Sequence, residues 1–205
     1  MQTNGERLAI PNSLQVEIEY VFAPCGISLT QLPEVEADPK GREYGATRLH
    51  LNDRKVAYRI AKISPDRPGH FVTMWKRPRP GAEIIPFSTD ANIEYLIVSC
   101  FAQGESGDGH RGMFIFTKDV LVTKGLMSSA GKQGKLATRI FPPWSESLAK
   151  ESVSRTLASG GTPKKNQYFT SSARKTQKWQ LQSFVPIDLV GGFDQDALKR
   201  LFFWR

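Results

Sequence analysis

Alternating apolar and polar residues dominate the middle of the chain and predict a sheet. Residues 44–51 and 55–63 alternate on either side of the turn Asn52-Asp53-Arg54, which predicts a hairpin. Residues 70–77 predict the next strand. Residues 93–101 are apolar on both faces and rich in β-branched side chains, which is typical of a buried central strand. We therefore expect a curved sheet of mixed or mainly antiparallel strands.

Helical spacing of apolar residues predicts helices around this sheet. The first, residues 12–22, would be capped by Asn12 or Ser13, although its spacing also permits a strand. Thr117 is a suitable N-cap for a short helix that Gly125 would end. Further helices are predicted over 145–158 (capped by Ser145), 170–178 and 194–204, and further strands over 113–116, 135–141 and 179–185. The predicted fold class is α+β: one domain over residues 1–205, with a central sheet flanked by helices.

The segment from Arg59 to Arg77 combines cationic and aromatic residues in one predicted pair of strands. The pair is joined by the turn Ser-Pro-Asp-Arg-Pro-Gly at 64–69. Alternation then places Arg59, Lys62, Lys76 and Arg77 on neighbouring strands beside Trp75. A fixed cationic surface next to an aromatic ring suits a polyanion with bases that stack, so nucleic acid is the first candidate ligand.

The net charge of +8 is unevenly distributed along the chain. Residues 1–53 carry a balance of −4 and residues 54–205 a balance of +12. From Ser152 to Ile187 there are six Lys and Arg residues and no acid. Such segregation favours an acidic partner, because clustered Lys and Arg neutralise phosphates and release counterions. A basic surface that only keeps the protein soluble, without a specific ligand, explains the same charge distribution.

Other residue types exclude several function classes. Cys25 and Cys100 lie in apolar settings without metal-ligand spacing, which indicates buried free thiols in a reducing cytosol. The three histidines are scattered, so a zinc site is not expected. No apolar run reaches the length of a membrane span, and the N-terminus lacks a secretory signal. We expect a cytoplasmic protein with no cofactor, no metal and no membrane partner.

Three further clusters combine cations with residues that contact bases. Lys118 follows a predicted strand end, Arg139 precedes Pro-Pro-Trp144, and residues 173–181 contain three cations, two glutamines and an indole. In this last cluster Lys175 and Lys178 suit phosphates, Gln177 suits a base edge and Trp179 suits stacking. Structural roles compete with this interpretation: tryptophans such as Trp75 and Trp144 are more often core residues than ligand platforms, and Arg59 and Lys62 fit ion pairs with Glu43 or Glu94.

Five motifs occur in the order typical of the MepB-like family, over about residues 43–184. They are Arg59-x-Ala-Lys-x-x-Pro65, Gly69-His-Phe-Val-Thr-Met-Trp-Lys-Arg77, Gly112-Met-Phe-Ile-Phe-Thr-Lys118, Arg139-Ile-Phe-Pro-Pro-Trp144 and Lys175-Thr-Gln-Lys-Trp-Gln180. The chain resembles this family, which is named for a small bacterial protein encoded beside a multidrug efflux pump. Residues 1–42 (a helix and a loop) and 185–205 (a helix) lie outside the resemblance.

The resemblance implies a fold similar to the PD-(D/E)XK endonucleases and binding of nucleic acid, with single strands and RNA favoured. Such nucleases hold Mg²⁺ through acids, one of them two residues before a lysine. Here Phe116 precedes Lys118 and Met74 precedes Lys76 at that position. The motifs Asp38-Pro-Lys40 and Asp53-Arg-Lys55 fall in a predicted loop and a turn. We therefore expect a degenerate catalytic site.

The expected function is non-catalytic binding of single-stranded DNA or RNA. Two alternatives remain at this stage: a metal-dependent nuclease with a displaced site at Glu43 and Glu94, and a protein-interaction module linked to drug or stress response. The sequence does not decide between them, nor does it indicate an oligomeric state. The expected binding residues are Arg59, Lys62, Lys76, Arg77, Lys118, Arg139, Lys175, Gln177, Lys178 and Trp179.

Overall fold

The computed structural model of this protein describes residues 9–64, 67–79, 81–103, 109–190 and 192–203. The strands, in chain order, are β1 (Glu34–Val35), β2 (Thr47–Leu51), β3 (Arg54–Ile60), β4 (Lys62–Ser64), β5 (Arg67–Thr73), β6 (Trp75–Lys76), β7 (Ile85–Pro86), β8 (Tyr95–Phe101), β9 (Arg111–Thr117), β10 (Ala137–Ile140), β11 (Phe184–Asp188) and β12 (Gly192–Phe193). The α-helices are α1 (Asn12–Glu17), α2 (Pro39–Glu43), α3 (Lys118–Thr123), α4 (Ser145–Ala158), α5 (Ser171–Gln180) and α6 (Gln195–Phe203).

The main sheet has seven strands in the order β1-β2-β3-β8-β9-β11-β12. Neighbouring strands are antiparallel, except that β3 and β8 run parallel. A parallel pair needs a long crossover, and here the crossover contains β4, β5, β6 and β7. A second sheet has the order β10-β5-β4, and β6 pairs with β7.

Each face of the main sheet covers its own hydrophobic core. On the first face, α1 and α6 contribute Leu14, Leu198 and Phe202, which pack against Tyr58 of β3. On the second face, the side chains of β8 and β9 pack against the second sheet and α3. All seven residues of β8 are buried, as predicted for the central strand. The arrangement confirms an α+β single domain with a mixed sheet flanked by helices, whereas the PD-(D/E)XK resemblance stays a prediction.

The chain changes sheets between Ile60 and Lys62, and this changes the prediction for the Arg59–Arg77 segment. Arg59 lies on β3 of the main sheet, whereas Lys62 lies on β4 of the second sheet. Of the strand pair predicted between Arg59 and Arg77, only β4 and β5 form a hairpin. Residues 65 and 66 of its turn lie outside the described residues. The prediction that Arg59 and Lys62 share a strand is wrong because the main-sheet pairing ends at Ile60.

Helix boundaries agree with the sequence at some caps and differ at others. The Thr117 hydroxyl accepts from the Val120 N–H at 3.3 Å, and Gly125 follows the helix with φ 63°, as predicted. Ser145 is the first residue of α4 rather than its cap. Trp179, predicted to begin the last strand, lies in α5, and that strand begins instead at Phe184.

The N-terminal helical segment changes type twice along its length. It is α-helical in α1, π-helical over Ile18–Phe22 and 3-10 helical over Ala23–Cys25, with Pro11 rather than Asn12 at the N-cap.

Both cysteines are buried free thiols, as expected. Within the described residues we find no helix with the length and apolar character that crossing a bilayer requires.

Candidate functional site

A groove with a volume of about 840 Å³ lies at the β1–β2–β3 edge of the main sheet, and we call it the edge groove. Leu49 and Leu51 of β2 point into the first core, so alternation places Arg48 and His50 on the opposite face. Both of these residues line the groove, together with Glu34, whose Cα pairs across the strands with that of Arg48.

Two walls enclose this floor. One is formed by the residues that lead into α2, from Glu36 to Pro39. The other includes part of the β6–β7 hairpin and the 3-10 turn Thr89–Ala91, which contribute Lys76, Arg79 and Asp90. The site is therefore assembled from segments more than fifty residues apart in the chain.

Cations outnumber acids in the edge groove. Four Asp and Glu residues line it: Glu34, Glu36, Asp38 and Asp90. Six Lys and Arg residues line it: Arg48, Lys55, Arg59, Lys76, Arg77 and Arg79. Four of the six, Arg48, Lys55, Lys76 and Arg79, make no side-chain hydrogen bond or ion pair with any other described residue. Their charges are thus available to a ligand.

Arg59 lies buried beneath the groove, with 4% of its surface exposed. Its two terminal nitrogens donate to the carbonyls of Tyr58 at 2.7 Å and Trp75 at 2.9 Å, while its Nε has no acceptor. Burial lowers the pKa of Arg59 to about 10, so the side chain remains charged at neutral pH. The predicted exposure of Arg59 is wrong, because it faces the second core and not solvent.

Arg77 joins the two walls of the edge groove. Its Nε donates to the Asp38 carboxylate at 2.6 Å, and its guanidinium also donates to the Ala82 carbonyl. Asp38 in turn caps α2 by accepting from the Lys40 and Gly41 N–H groups at 2.9 and 3.2 Å. Burial raises the pKa of Asp38, but the hydrogen bonds from Gly41 and Arg77 outweigh it and lower the pKa below its usual value. Arg77 is therefore largely neutralised.

Two other predicted binding cations hold the fold together. Lys118 Nζ donates to the Thr89 carbonyl at 2.8 Å and so ties α3 to the 3-10 turn. Arg139 donates to the carbonyls of Pro68 at 3.2 Å and Gly69 at 3.1 Å, and to Ser64 Oγ at 3.1 Å. Burial also lowers the pKa of Arg139. Neither residue lines the edge groove.

Helix α5 carries a separate group of candidates, which we call the α5 patch: Lys175, Gln177, Lys178 and Trp179, with Lys124 from the end of α3. Lys175 and Lys178 are exposed, whereas Gln177 donates to the Pro142 carbonyl at 2.9 Å. Trp179 is half-buried, with its ring centroid 5.8 Å from that of Phe116 and 5.2 Å from Lys124 Nζ. One side of the indole thus packs on the second core, and a lysine already lies over the ring.

The structure therefore divides the predicted binding residues into groups. Arg59, Lys76 and Arg77 meet at the edge groove, whereas Lys62 and Arg139 lie across the second sheet, each paired with Phe71 of β5. The α5 residues form the third group, and Lys118, at the start of α3, belongs to none of the three. Sequence reasoning missed the following groove residues: Arg48, His50, Lys55 and Arg79. The alternation of Arg48 and His50 with buried residues in β2 is the signal that could have found them.

The two acids of the alternative nuclease site lie in different surroundings. Glu43 lines a second cavity of about 570 Å³ between α2 and the second sheet, whereas Glu94 pairs with Arg54 at 2.7 Å. Among the described residues there is no group of three or more His, Cys, Asp and Glu side chains that could hold a metal ion. At the two predicted lysine motifs, Phe116 and Met74 are buried in the second core.

Comparisons with known proteins agree on one family. The chain is similar to a solved structure described as the crystal structure of MepB, with 22% identity and a TM-score of 0.58 over 85% of this chain and 97% of that one. This similarity shows the fold alone. No curated protein matches the chain. The model of the MepB-like family matches residues 38–158, which is more than half of the sequence, and the chain therefore belongs to the MepB-like family.

Proposed function

We propose that this protein binds nucleic acid without cleaving it, and that the edge groove takes the phosphate backbone of a single strand. The observation that carries the proposal is the set of four groove cations, Arg48, Lys55, Lys76 and Arg79, that have no partner among the described side chains. Unpaired Lys and Arg side chains around one cavity bind phosphates by releasing counterions, independently of base sequence.

The α5 patch supplies a second set of phosphate contacts through Lys175 and Lys178, whose side chains are exposed. Helix α5 contains no acid, and Glu146 of α4 pairs with Arg174 and Lys150 rather than with these two lysines. Stacking of a base on Trp179 requires Lys124 to leave the ring, because the ammonium lies 5.2 Å from its centroid. The indole therefore contributes less than its sequence context predicts.

Lack of catalysis is part of the proposal. Lys76 and Lys118 follow buried Met74 and Phe116 where a nuclease of the PD-(D/E)XK type needs an acid. Lys118 is moreover held by the Thr89 carbonyl. A lysine in that position stabilises the 3-10 turn and is not free to activate water.

A salt titration with labelled oligonucleotides tests the proposal. Single-stranded DNA and RNA and the matching duplexes are titrated by fluorescence anisotropy at several salt concentrations, with and without Mg²⁺ or Mn²⁺. We expect log affinity for single strands to fall linearly with log salt concentration, with a slope of about 0.7 per neutralised phosphate. Oligonucleotides should remain intact with either metal.

Matched variants assign the binding to the groove. Replacing both Arg48 and Lys76 by alanine should weaken binding and reduce the slope by about 1.4, because two phosphate contacts are lost. Replacing the exposed Lys165 on the 3-10 turn Lys165–Gln167 by alanine should leave both quantities nearly unchanged. A flat salt dependence, equal losses in the control, or cleavage that requires the metal would each contradict the proposal.

A further inference from the structure

No described carboxylate contacts the guanidinium of Arg59: burial lowers its pKa, and the more distant charge of Glu36 raises it only in part. Among the described residues no carboxylate oxygen lies within 4.0 Å of its guanidinium, and its Nε donates to no acceptor although the atom is buried. Buried charges are normally paired, because an unpaired charge in the interior is costly. A side chain of this kind at the base of a cavity favours a ligand that brings the missing negative charge.

Two accessible cations lie around the same cavity. Arg48 is exposed on β2, the strand that pairs with the β3 strand of Arg59, and both residues line the same groove. Lys76 follows Trp75, whose carbonyl accepts from Arg59. An anion in this part of the groove gains direct contacts from Arg48 and Lys76. It also gains attraction from Arg59 that solvent and salt screen weakly, because that charge is buried.

The same groove is not purely cationic, because it also contains carboxylates that can accept hydrogen bonds. Glu34 and Glu36 line it and form no salt bridge with any described residue. Carboxylates accept from sugar hydroxyls and from the exocyclic amines of bases. The volume of about 840 Å³ falls within the range of small-ligand sites. Size, anion preference and acceptors together fit one phosphorylated nucleoside.

We infer that the edge groove is a nucleotide pocket that binds a single nucleoside monophosphate unit, either as a free nucleotide or as the phosphorylated end of a strand. The phosphate lies above Arg59 and contacts Arg48 and Lys76, and the nucleoside lies against Glu34 and Glu36. This inference rests on the proposed nucleic-acid function and adds to it a preference for a terminal phosphate.

Isothermal titration with small ligands tests the pocket directly. AMP, adenosine and inorganic phosphate are the three probes, and the full chain is used throughout. We expect AMP to bind at least tenfold more tightly than inorganic phosphate and more tightly than adenosine, because only AMP engages both ends of the pocket. Equal binding of AMP and phosphate would show a simple anion site and overturn the inference. Absence of AMP binding would overturn it as well, unless a phosphorylated strand end binds more tightly than an unphosphorylated one.

Variants of the accessible residues avoid the buried arginine, whose replacement alters folding. Arg48→Ala and Lys76→Ala should each weaken AMP binding about tenfold, and Lys165→Ala should not change it. Removing the carboxylates together (Glu34→Ala with Glu36→Ala) should narrow the ratio of AMP to phosphate affinity. An unchanged ratio would contradict the placement of the nucleoside.

A second experiment distinguishes a free nucleotide from a phosphorylated strand end as the ligand. It also distinguishes failure of the nucleotide pocket from failure of the proposed nucleic-acid function. A short single strand is compared with and without a 5′ or a 3′ phosphate. A tighter complex with one phosphorylated end supports the strand-end form, whereas AMP binding without any end effect supports the free nucleotide. Salt-dependent binding of strands with neither AMP binding nor an end effect overturns the pocket and leaves the proposed function standing. Failure of all strands and of AMP removes both.

Discussion

Ser99 Oγ donates a hydrogen bond to the Glu17 carboxylate, 2.7 Å from Oε1 and 2.8 Å from Oε2, in the interior between α1 and the main sheet. Glu17 is 1% exposed, and the guanidinium of Arg111 approaches it only to 3.6 Å. Burial raises the pKa of Glu17 to about 7, since these contacts do not replace the lost hydration. The protein thus contains an interior carboxyl that changes charge near neutral pH.

The pH dependence of stability should reveal this carboxyl. Between its ordinary pKa of 4.5 and about 7, the folded state holds a proton that the unfolded state has released. Stability therefore falls as pH rises through this window, by up to about 3 kcal/mol from this one group. Glu17→Gln should remove the fall and make the protein more stable than the wild type at pH 8. Urea denaturation at pH 5, 6, 7 and 8 measures the effect.

Glu19→Gln is the matched control, because Glu19 is exposed two residues further along the chain. That variant should retain the wild-type difference between pH 5 and pH 8. If Glu17→Gln retains it as well, the carboxyl does not titrate in this window and the assigned direction of its pKa is wrong.

Local signals predicted elements of this fold well where one short segment determines the outcome. Thr117 caps α3 and Gly125 follows it because each role depends on a side chain and a few neighbouring backbone groups. The burial of β8 follows from its own apolar residues. These features need no knowledge of the rest of the chain.

The candidate site could be predicted only in part, since it depends on partners distant in sequence. Alternation correctly places Arg59 and Ile60 on opposite faces of the strand. The burial of Arg59, however, results from β8 and from Phe87, and the Cζ of Arg59 lies 5.1 Å from the Phe87 ring centroid. The sequence alone does not single out Arg48, because the loop that faces it across the groove begins about thirty residues later. The sequence predicts Trp179 in a strand because no glycine or proline between Lys178 and Val185 marks the end of the preceding helix, which continues to Gln180.

Arg139 should contribute to stability rather than to ligand binding. Its guanidinium bonds simultaneously to backbone carbonyls of the β4–β5 hairpin and to Ser64 Oγ, which a lysine ammonium reproduces only in part. We expect Arg139→Lys to lower the free energy of unfolding by about 1–3 kcal/mol. Lys135→Ala, a change of an exposed residue near the same strand, should have little effect. Denaturation and strand binding are measured on both; a stable Arg139→Lys variant that has lost binding would instead assign Arg139 to the interface.

Trp179 should likewise be mainly structural. The ring packs against Phe116 of the second core, so Trp179→Ala should lower the free energy of unfolding by about 2–4 kcal/mol, less than for a fully buried indole. Trp179→Phe should recover most of this loss by refilling the space. The comparison is made by thermal and urea denaturation.

Strand binding by the same variants shows whether a base also stacks on the ring. If Lys124 covers the ring in the complex as it does here, Trp179→Phe should bind single strands as the wild type does. A loss of about 1–3 kcal/mol of binding in the well-folded phenylalanine variant would demonstrate stacking, because a stacked base contributes that amount. Lys124→Ala should in that case strengthen binding.

The two lysines of the α5 patch test whether one ligand spans both basic surfaces. Lys175 and Lys178 are exposed on α5, so replacing both by alanine should leave the fold intact. If a long strand contacts the patch and the edge groove together, this variant should reduce the salt slope by about 1.4 for a long strand, and not at all for a strand too short to reach both. When the two α5 replacements are combined with Arg48→Ala and Lys76→Ala in one variant, the reductions of the salt slope should add, because the two surfaces neutralise different phosphates. Equal losses for short and long strands would show that the patch is itself the principal site, and no loss for either would confine binding to the groove.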